Sequence, residues 1–318
     1  MGIHHEKLRK EIMAENTKKI ILDTDIGDDI DDAFALVLCL ASPEVELLGV
    51  TTVFRNGVAR AKMTKALAKS VGVEGIKVYA GMDNPLIAIP ELLVGDLLEK
   101  EKRDKNGKYY LPQYSPEMDN EEIEEQDGVN YIIESAKKYG KDLYLAPIGA
   151  LTNIATAIRL APDVMKNIGG ITVMGGCFYR DIPEWNMICD PEAARIVFSS
   201  GIPVRAVGLD VTLQCVMDKD TQNQIRDNMN GAGEILSSML EKWFDHYRFA
   251  APVMHDPLAV STLIQDGFVK FKTEHVDVIL EGGNRAKTVL GGKYPIEVAY
   301  EVDTERFMKF FKGRIFNQ

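Results

Sequence analysis

The chain has 318 residues, 46% hydrophobic and 27% charged, enough to bury a large α/β core as one domain or two. Its net charge of −11 argues against a phosphate-backbone partner, so no nucleic acid is expected. No apolar run approaches the roughly 18 residues that span a bilayer. The charged opening MGIHHEKLRKEIMAENTKK lacks the apolar stretch of a secretory signal, so no membrane and a cytoplasmic location are expected.

Residues 1–17 read as a polar extension ahead of a single domain spanning 18–318. KKIILDTD reads as a strand, DDAFALVLCLAS as a helix, VELLGVTTVF as a second strand, and GVARAKMTKALAKSVG as a helix with a glycine stop. IKVYAG, KDLYLAPIG, GGITVMGG and IPVRAVGLD are short runs apolar enough to be strands buried on both faces. LTNIATAIRLAP and PEAARIVFSSG read as helices between them, and a few more strands and a last helix close the chain, from GFVKFKTEHVDVIL to YPIEVAYEVDTERFMKFF. Repeated βα units predict a Rossmann-like α/β fold, an open, mainly parallel sheet with helices on both faces. Ligands of such sheets bind beyond the carboxyl ends of the strands. The polar segment 84–127 breaks the rhythm and reads as a surface excursion or flap. Cys39, Cys177, Cys189 and Cys215 have no C-x-x-C spacing and apolar neighbours, which predicts buried free thiols.

DTDIGDDIDDAFAL is the most informative stretch. It places Asp23, Asp25, Asp28, Asp29, Asp31 and Asp32 where a strand ends and a helix begins. Helix capping accounts for one or two of them. The mutual repulsion of the rest is costly unless a cation sits among them. The stretch is not an EF-hand, which needs Gly where Asp28 stands and Glu where Phe34 stands. Nor is it a D-x-D phosphotransfer site of the haloacid-dehalogenase kind, which wants a hydroxyl where Gly27 stands. A cage of hard oxygens remains, suited to Ca²⁺ or Mg²⁺ rather than zinc.

The same stretch resembles the D-x-D-x-G…D-D-A signature of the inosine–uridine-preferring nucleoside hydrolases. Four more segments resemble that family in its order: GVTTVFRN (49–56), LAPIGALTNIATAI (145–158), VMGG…PEWNMICDPEAARIVF (173–198) and MHDPLAV (254–260). Together they cover roughly residues 19–310. The chain departs from the pattern too. Asp28 and Asp29 are two extra residues before the D-D-A, CFYRDIP is short and lacks an asparagine, and VGDLLEKEKR stands where some members have a histidine–glycine element. Base preference therefore does not transfer.

The resemblance implies calcium-dependent hydrolysis of a ribonucleoside to free base and ribose. It gives a metal set of Asp25, Asp32, Asp256 and the Thr152 carbonyl, one Ca²⁺ per subunit. It makes Asp25 the acceptor of the attacking water's proton, its pKa held low by the metal, and His255 the residue that assists the departing base. Asp31 and Asn56 would bind the 2′-hydroxyl, Asn186 the 3′ side with Asp256 on the sugar, and Glu184 the 5′-hydroxyl. Trp185 would line the ribose. Asn153 is expected to cap a helix. Trp243, His246, Tyr247 and Arg248 are expected on one helix as an outer wall. A homodimer or homotetramer is implied by analogy. Two rivals remain open: a non-catalytic ribose-binding protein of the same fold and a metal-dependent phosphohydrolase.

Overall fold

The computed structural model describes residues 17–87, 107, 109–227 and 232–316. The predicted polar extension lies outside them, apart from Thr17, as does part of the excursion. Among the described residues no helix is long and apolar enough to cross a membrane.

Among the described residues the sheet has nine strands: β1 (Lys18–Thr24), β2 (Val45–Thr52), β3 (Val78–Ala80), β4 (Leu143–Pro147), β5 (Gly170–Met174), β6 (Val204–Val207), β7 (Val269–Val278), β8 (Thr288–Leu290) and β9 (Tyr294–Val302). Their order is β3-β2-β1-β4-β5-β6-β9-β7-β8. The first seven of these run parallel, and only β7 pairs antiparallel, with β9 and β8. Strand order reverses between β1 and β4, so the connections leaving their carboxyl ends run to opposite sides, which opens the crevice where such sheets bind ligands. Every predicted strand is present. The helix Gly128–Tyr139, capped by Asp127 through the backbone N–H of Asn130, was not anticipated.

Helices that matter for the crevice are α1 (Asp31–Leu40), α2 (Gly57–Ser70), α3 (Gly128–Tyr139), α4 (Thr152–Leu160), α5 (Trp185–Cys189), α6 (Pro191–Phe198), α7 (Leu209–Thr212), α8 (Ala232–Tyr247) and α9 (His255–Ile264). All ten residues of α1 are buried, and so is α9 from Asp256 onward. A helix apolar on all sides belongs inside a core, and these two pack against each other. Ala33, Phe34, Leu36 and Val37 share one hydrophobic cluster with Leu258, Ala259 and Val260. That packing brings the amino ends of both helices to the carboxyl end of β1. The four cysteines are buried and free, as their surroundings predicted.

Candidate active site

Strand β1 ends in Asp23-Thr24, Asp25 follows directly, and Gly27 then turns the chain with φ of +120°, a region that L side chains avoid. Helix α1 opens with Asp31 and Asp32, and α9 carries Asp256 in its first turn. Carboxylate oxygens of Asp31, Asp32 and Asp256 all lie within 4.8 Å of one another, and all three residues are buried. A hard dication takes oxygens at about 2.3–2.6 Å, so oxygens on its opposite sides stand about 5 Å apart. The spacing therefore fits one such ion. Asp25 stands beside this trio, and its charge helps push all three carboxyls well above the usual range, burial being the larger cause.

The hydrogen bonds around the trio are built to orient it. The Thr24 hydroxyl donates to Asp32 at 2.5 Å, and the backbone N–H of Asp256 donates to Asp31 at 3.0 Å. In the protein alone, burial raises Asp25 to about 7, opposed by the Arg60 guanidinium and reinforced by Asp28 and Glu184. Asp23, fully buried, is likewise raised to about 7 despite accepting from Thr51 at 2.6 Å and Asn153 at 2.7 Å. Packing this many buried carboxyls together is costly unless they are paired or hold a metal. The donor set and its electrostatics fit a hard cation.

Thr152 requires a correction. It is the first residue of α4, and its carbonyl points along that helix to accept the Thr156 hydroxyl at 2.8 Å. Its own hydroxyl donates to Asp190 at 2.7 Å. Main-chain carbonyls in a helix face its carboxyl end, away from the strand ends here, so this one is turned from the cage. Gly149, just past β4, packs its main chain closely against Asp25. A Cβ added there would lie 2.5 Å from the Asp25 carboxylate. The neighbouring Ile148 carbonyl accepts from Asn186 at 2.8 Å. Asn153 is not a helix cap either. It is fully buried, donates to Asp23 and to the Thr52 carbonyl at 3.0 Å, and accepts from the Met82 N–H at 2.8 Å.

Glu184 and Asn186 stand at the carboxyl ends of β4 and β5. Glu184 caps α5: one oxygen accepts from Asn186 N–H at 2.8 Å, the other from Gly176 at 3.0 Å and Met187 at 3.1 Å. The Trp185 backbone N–H bonds the same carboxylate, which is thus held by four main-chain donors. Asn186 donates to the carbonyls of Ile148 and of Met174, the latter at 3.2 Å, so what it can offer a sugar is its amide oxygen. Trp185 is exposed. Asn56 donates to the Tyr109 carbonyl at 2.9 Å. His255 is half-buried, its Nδ1 lies 2.7 Å from the Thr212 hydroxyl at the end of α7, and burial lowers it to about 4. Trp243 belongs to the core rather than an outer wall, packed edge-on against Phe244. His246 and Arg248 are exposed on or just past the same helix end, and Tyr247 stacks on the exposed Phe249 with ring centroids 5.6 Å apart.

Three features escaped the sequence reading. Gln113, fully buried, donates to the carbonyls of Asp28 at 2.9 Å and Asp29 at 2.8 Å, so the described end of the excursion closes on the aspartate loop. Asp190 caps α6 while accepting from Thr152 and from the Leu86 N–H at 2.8 Å. Arg60, in the opening turn of α2, is fully buried against the same loop. A lone arginine on a helix carries no local signal of that role.

Comparison with known proteins agrees with this geometry. Residues 20–309 match the family described as inosine-uridine preferring nucleoside hydrolase. The chain is 31% identical over 306 residues to the pyrimidine-specific ribonucleoside hydrolase RihB of Escherichia coli (strain SE11), covering 91% of this chain and 94% of that protein. Among solved structures it resembles a purine-preferring ribonucleoside hydrolase from Gardnerella vaginalis, with a TM-score of 0.78 and 32% identity over 94% of this chain and 98% of that one. A plant nucleoside hydrolase, PpNRh1, shares the fold with a TM-score of 0.77 at 23% identity, over 95% of this chain and 100% of that one.

Proposed function

The chain belongs to the inosine–uridine preferring nucleoside hydrolase family, enzymes that cleave N-glycosidic bonds, and from that premise we propose a calcium-dependent ribonucleoside hydrolase. Riboside and water give free base and ribose. The observation that carries the reading is the buried trio Asp31, Asp32 and Asp256, with Asp25 beside it, at the reversal point of the sheet. Those four carboxylates are the residues that would hold the cation. A hard dication in such a cage supplies positive charge that anchors vicinal ribose hydroxyls and orients the attacking water.

The rest of the chemistry belongs to the chain. Cleavage builds positive charge on the ribose ring, as in O-glycoside hydrolysis. The buried carboxylates around the ring favour that charge over the neutral ground state, and a low local dielectric strengthens the effect. Asp25 accepts a proton from the attacking water. With a dication beside it, its carboxyl is ionised at neutral pH, reversing the rise that burial causes in the protein alone. Asp31 shares the 2′-hydroxyl with Asn56, while Asp256 and the Asn186 amide oxygen take the 3′ side. Glu184 takes the 5′-hydroxyl, and Trp185 covers the rim. His255 is uncharged at neutral pH, so it assists the base by hydrogen bonding rather than as an imidazolium acid.

Among the named relatives one is pyrimidine-specific and another purine-preferring, so the base is open within this fold. A single domain in a cytoplasmic homodimer or homotetramer completes the proposal. The direct test is a panel of uridine, cytidine, inosine, guanosine and adenosine scored by ribose release. Turnover of at least one supports the reading, and binding of a nucleoside with no ribose from any would favour the non-catalytic alternative.

A further inference from the structure

Asp28 has no counterpart in the commonest family spacing, and the structure gives it a partner. Arg60 Nη2 donates to the Asp28 carboxylate at 2.8 Å. The same guanidinium reaches four main-chain carbonyls. Nη1 donates to Asp25 and, at 2.9 Å, to Ile26; Nε donates to Phe54 at 2.7 Å and to Arg55 at 3.0 Å. Among the described residues Arg60 is the one lysine or arginine that is buried, with no exposed surface at all. It also sits in the opening turn of α2, where the helix dipole disfavours a cation. Burying a charge there is costly unless every contact is used.

The carbonyls it holds belong to two loops that form the crevice. One is the turn just past β1, which carries Asp25. The other is Phe54-Arg55-Asn56, three consecutive non-glycine residues at φ of 63°, 51° and 59°. Each such residue is strained for an L-amino acid, so the turn persists only because its surroundings hold it. The backbone N–H groups of Phe54 and Arg55 are held by the carbonyls of Met82 and Asp83, both at 2.8 Å. The carbonyls of the same two residues are held by Arg60. Its planar fork of five N–H donors suits this task, and an ammonium with three does not.

We infer that Arg60, neutralised by Asp28, is a positioning residue that locks the Asp25 turn and the strained 54–56 turn into one rigid unit, so that Asp25 and Asn56 face the same ribose in fixed register. The inference rests on the hydrolase reading of the site. Misplacing a reacting group by about 1 Å can cost about 10²-fold in rate.

The test compares wild type with Arg60→Lys, Arg60→Met and Asp28→Asn, well below each variant's Tm and at saturating Ca²⁺. Calorimetry measures Ca²⁺ affinity, and ribose release measures kcat and KM. Arg60→Lys should fold, lose roughly 10²-fold in kcat/KM with kcat itself reduced, and bind Ca²⁺ at least about 10-fold more weakly. Arg60→Met, where it folds, should be worse. Asp28→Asn, which leaves the four carbonyl contacts in place, should lose less than Arg60→Lys. A lower Tm with kcat, KM and Ca²⁺ affinity of Arg60→Lys all within about threefold of wild type would overturn the inference, leaving Arg60 merely structural. If wild type releases no ribose from any nucleoside, the hydrolase reading has failed. The Ca²⁺ arm then decides alone: weaker binding by Arg60→Lys supports the positioning role, and unchanged binding refutes it.

Discussion

The backbone N–H of Asp256 donates to the carboxylate of Asp31 at 3.0 Å, joining residues 225 positions apart. The bond places one carboxylate at the amino end of a second helix, where the dipole favours negative charge. It also brings a third carboxylate, Asp256 itself, against Asp31 and Asp32. Without a counter-charge these groups resist ionisation.

That resistance makes stability depend on pH in a defined direction. Asp25 rises from 3.8 to about 7, and Asp31, Asp32 and Asp256 also rise well above 3.8. Folded values above unfolded ones mean the native state holds more protons, so these groups destabilise the metal-free fold as pH climbs from about 4 through 7. His255, lowered from 6.5 to about 4, works the other way: its contribution is present above 6.5 and is lost as pH falls toward 4. Comparing Tm with and without Ca²⁺ cancels the parts that the ion does not touch. The gap in Tm between the Ca²⁺-loaded and stripped protein should widen from pH 5 to pH 8, and Ca²⁺ binding should release protons near pH 6. A constant gap would remove the four carboxyls from the cation site.

Gly149 marks how closely β4 approaches the catalytic turn. A Cβ there falls 2.5 Å from the Asp25 carboxylate, so Gly149→Ala must displace that side chain. Turnover should drop by roughly 10²-fold while far-UV circular dichroism stays unchanged. Wild-type kcat in this variant would show that the position of Asp25 is not critical.

Asp25→Asn keeps the shape and one oxygen ligand but removes the proton acceptor. At saturating Ca²⁺ and riboside, kcat should fall by about 10²-fold or more. Riboside binding, followed by calorimetry, should persist. A loss confined to Ca²⁺ affinity would reduce Asp25 to a ligand and move the search for the base to Asp29, Asp31 and Asp32.

His255 is tested by its leaving group. His255→Ala should slow natural nucleosides by about 10²-fold, and p-nitrophenyl riboside, whose leaving group needs no proton, far less. Thr212→Val, which removes the 2.7 Å partner of Nδ1, should shift kcat in the same direction by a smaller factor. Equal losses on both substrate types would make His255 a residue that shapes the pocket.

Much of this was legible because the signals were local. The apolar runs gave the strands, since a parallel sheet covered on both faces leaves little choice of residue. The aspartate density announced a cation cage because repulsion on that scale is rarely left uncompensated. What stayed hidden depends on contacts between distant segments. Thr152 lies in the right motif, but only the direction of α4 reveals that its carbonyl faces away. Asn153 beside it looks like a cap and instead ties together β1, β2 and the loop after β3. Asp28 looked like a surplus carboxylate, and its partner lies 32 residues further on at Arg60. Trp243 was read as a wall residue because helical spacing alone does not say which face is covered.

The central claim is that the Asp25–Asp31–Asp32–Asp256 cage runs ribonucleoside hydrolysis through a bound Ca²⁺. The most direct measurement is ribose release from the nucleosides of the panel by protein stripped of metal, verified by elemental analysis, before and after Ca²⁺ is restored. Activity absent from the stripped protein and recovered at one Ca²⁺ per chain is the expected result. Full turnover in protein verified to be metal-free would contradict it.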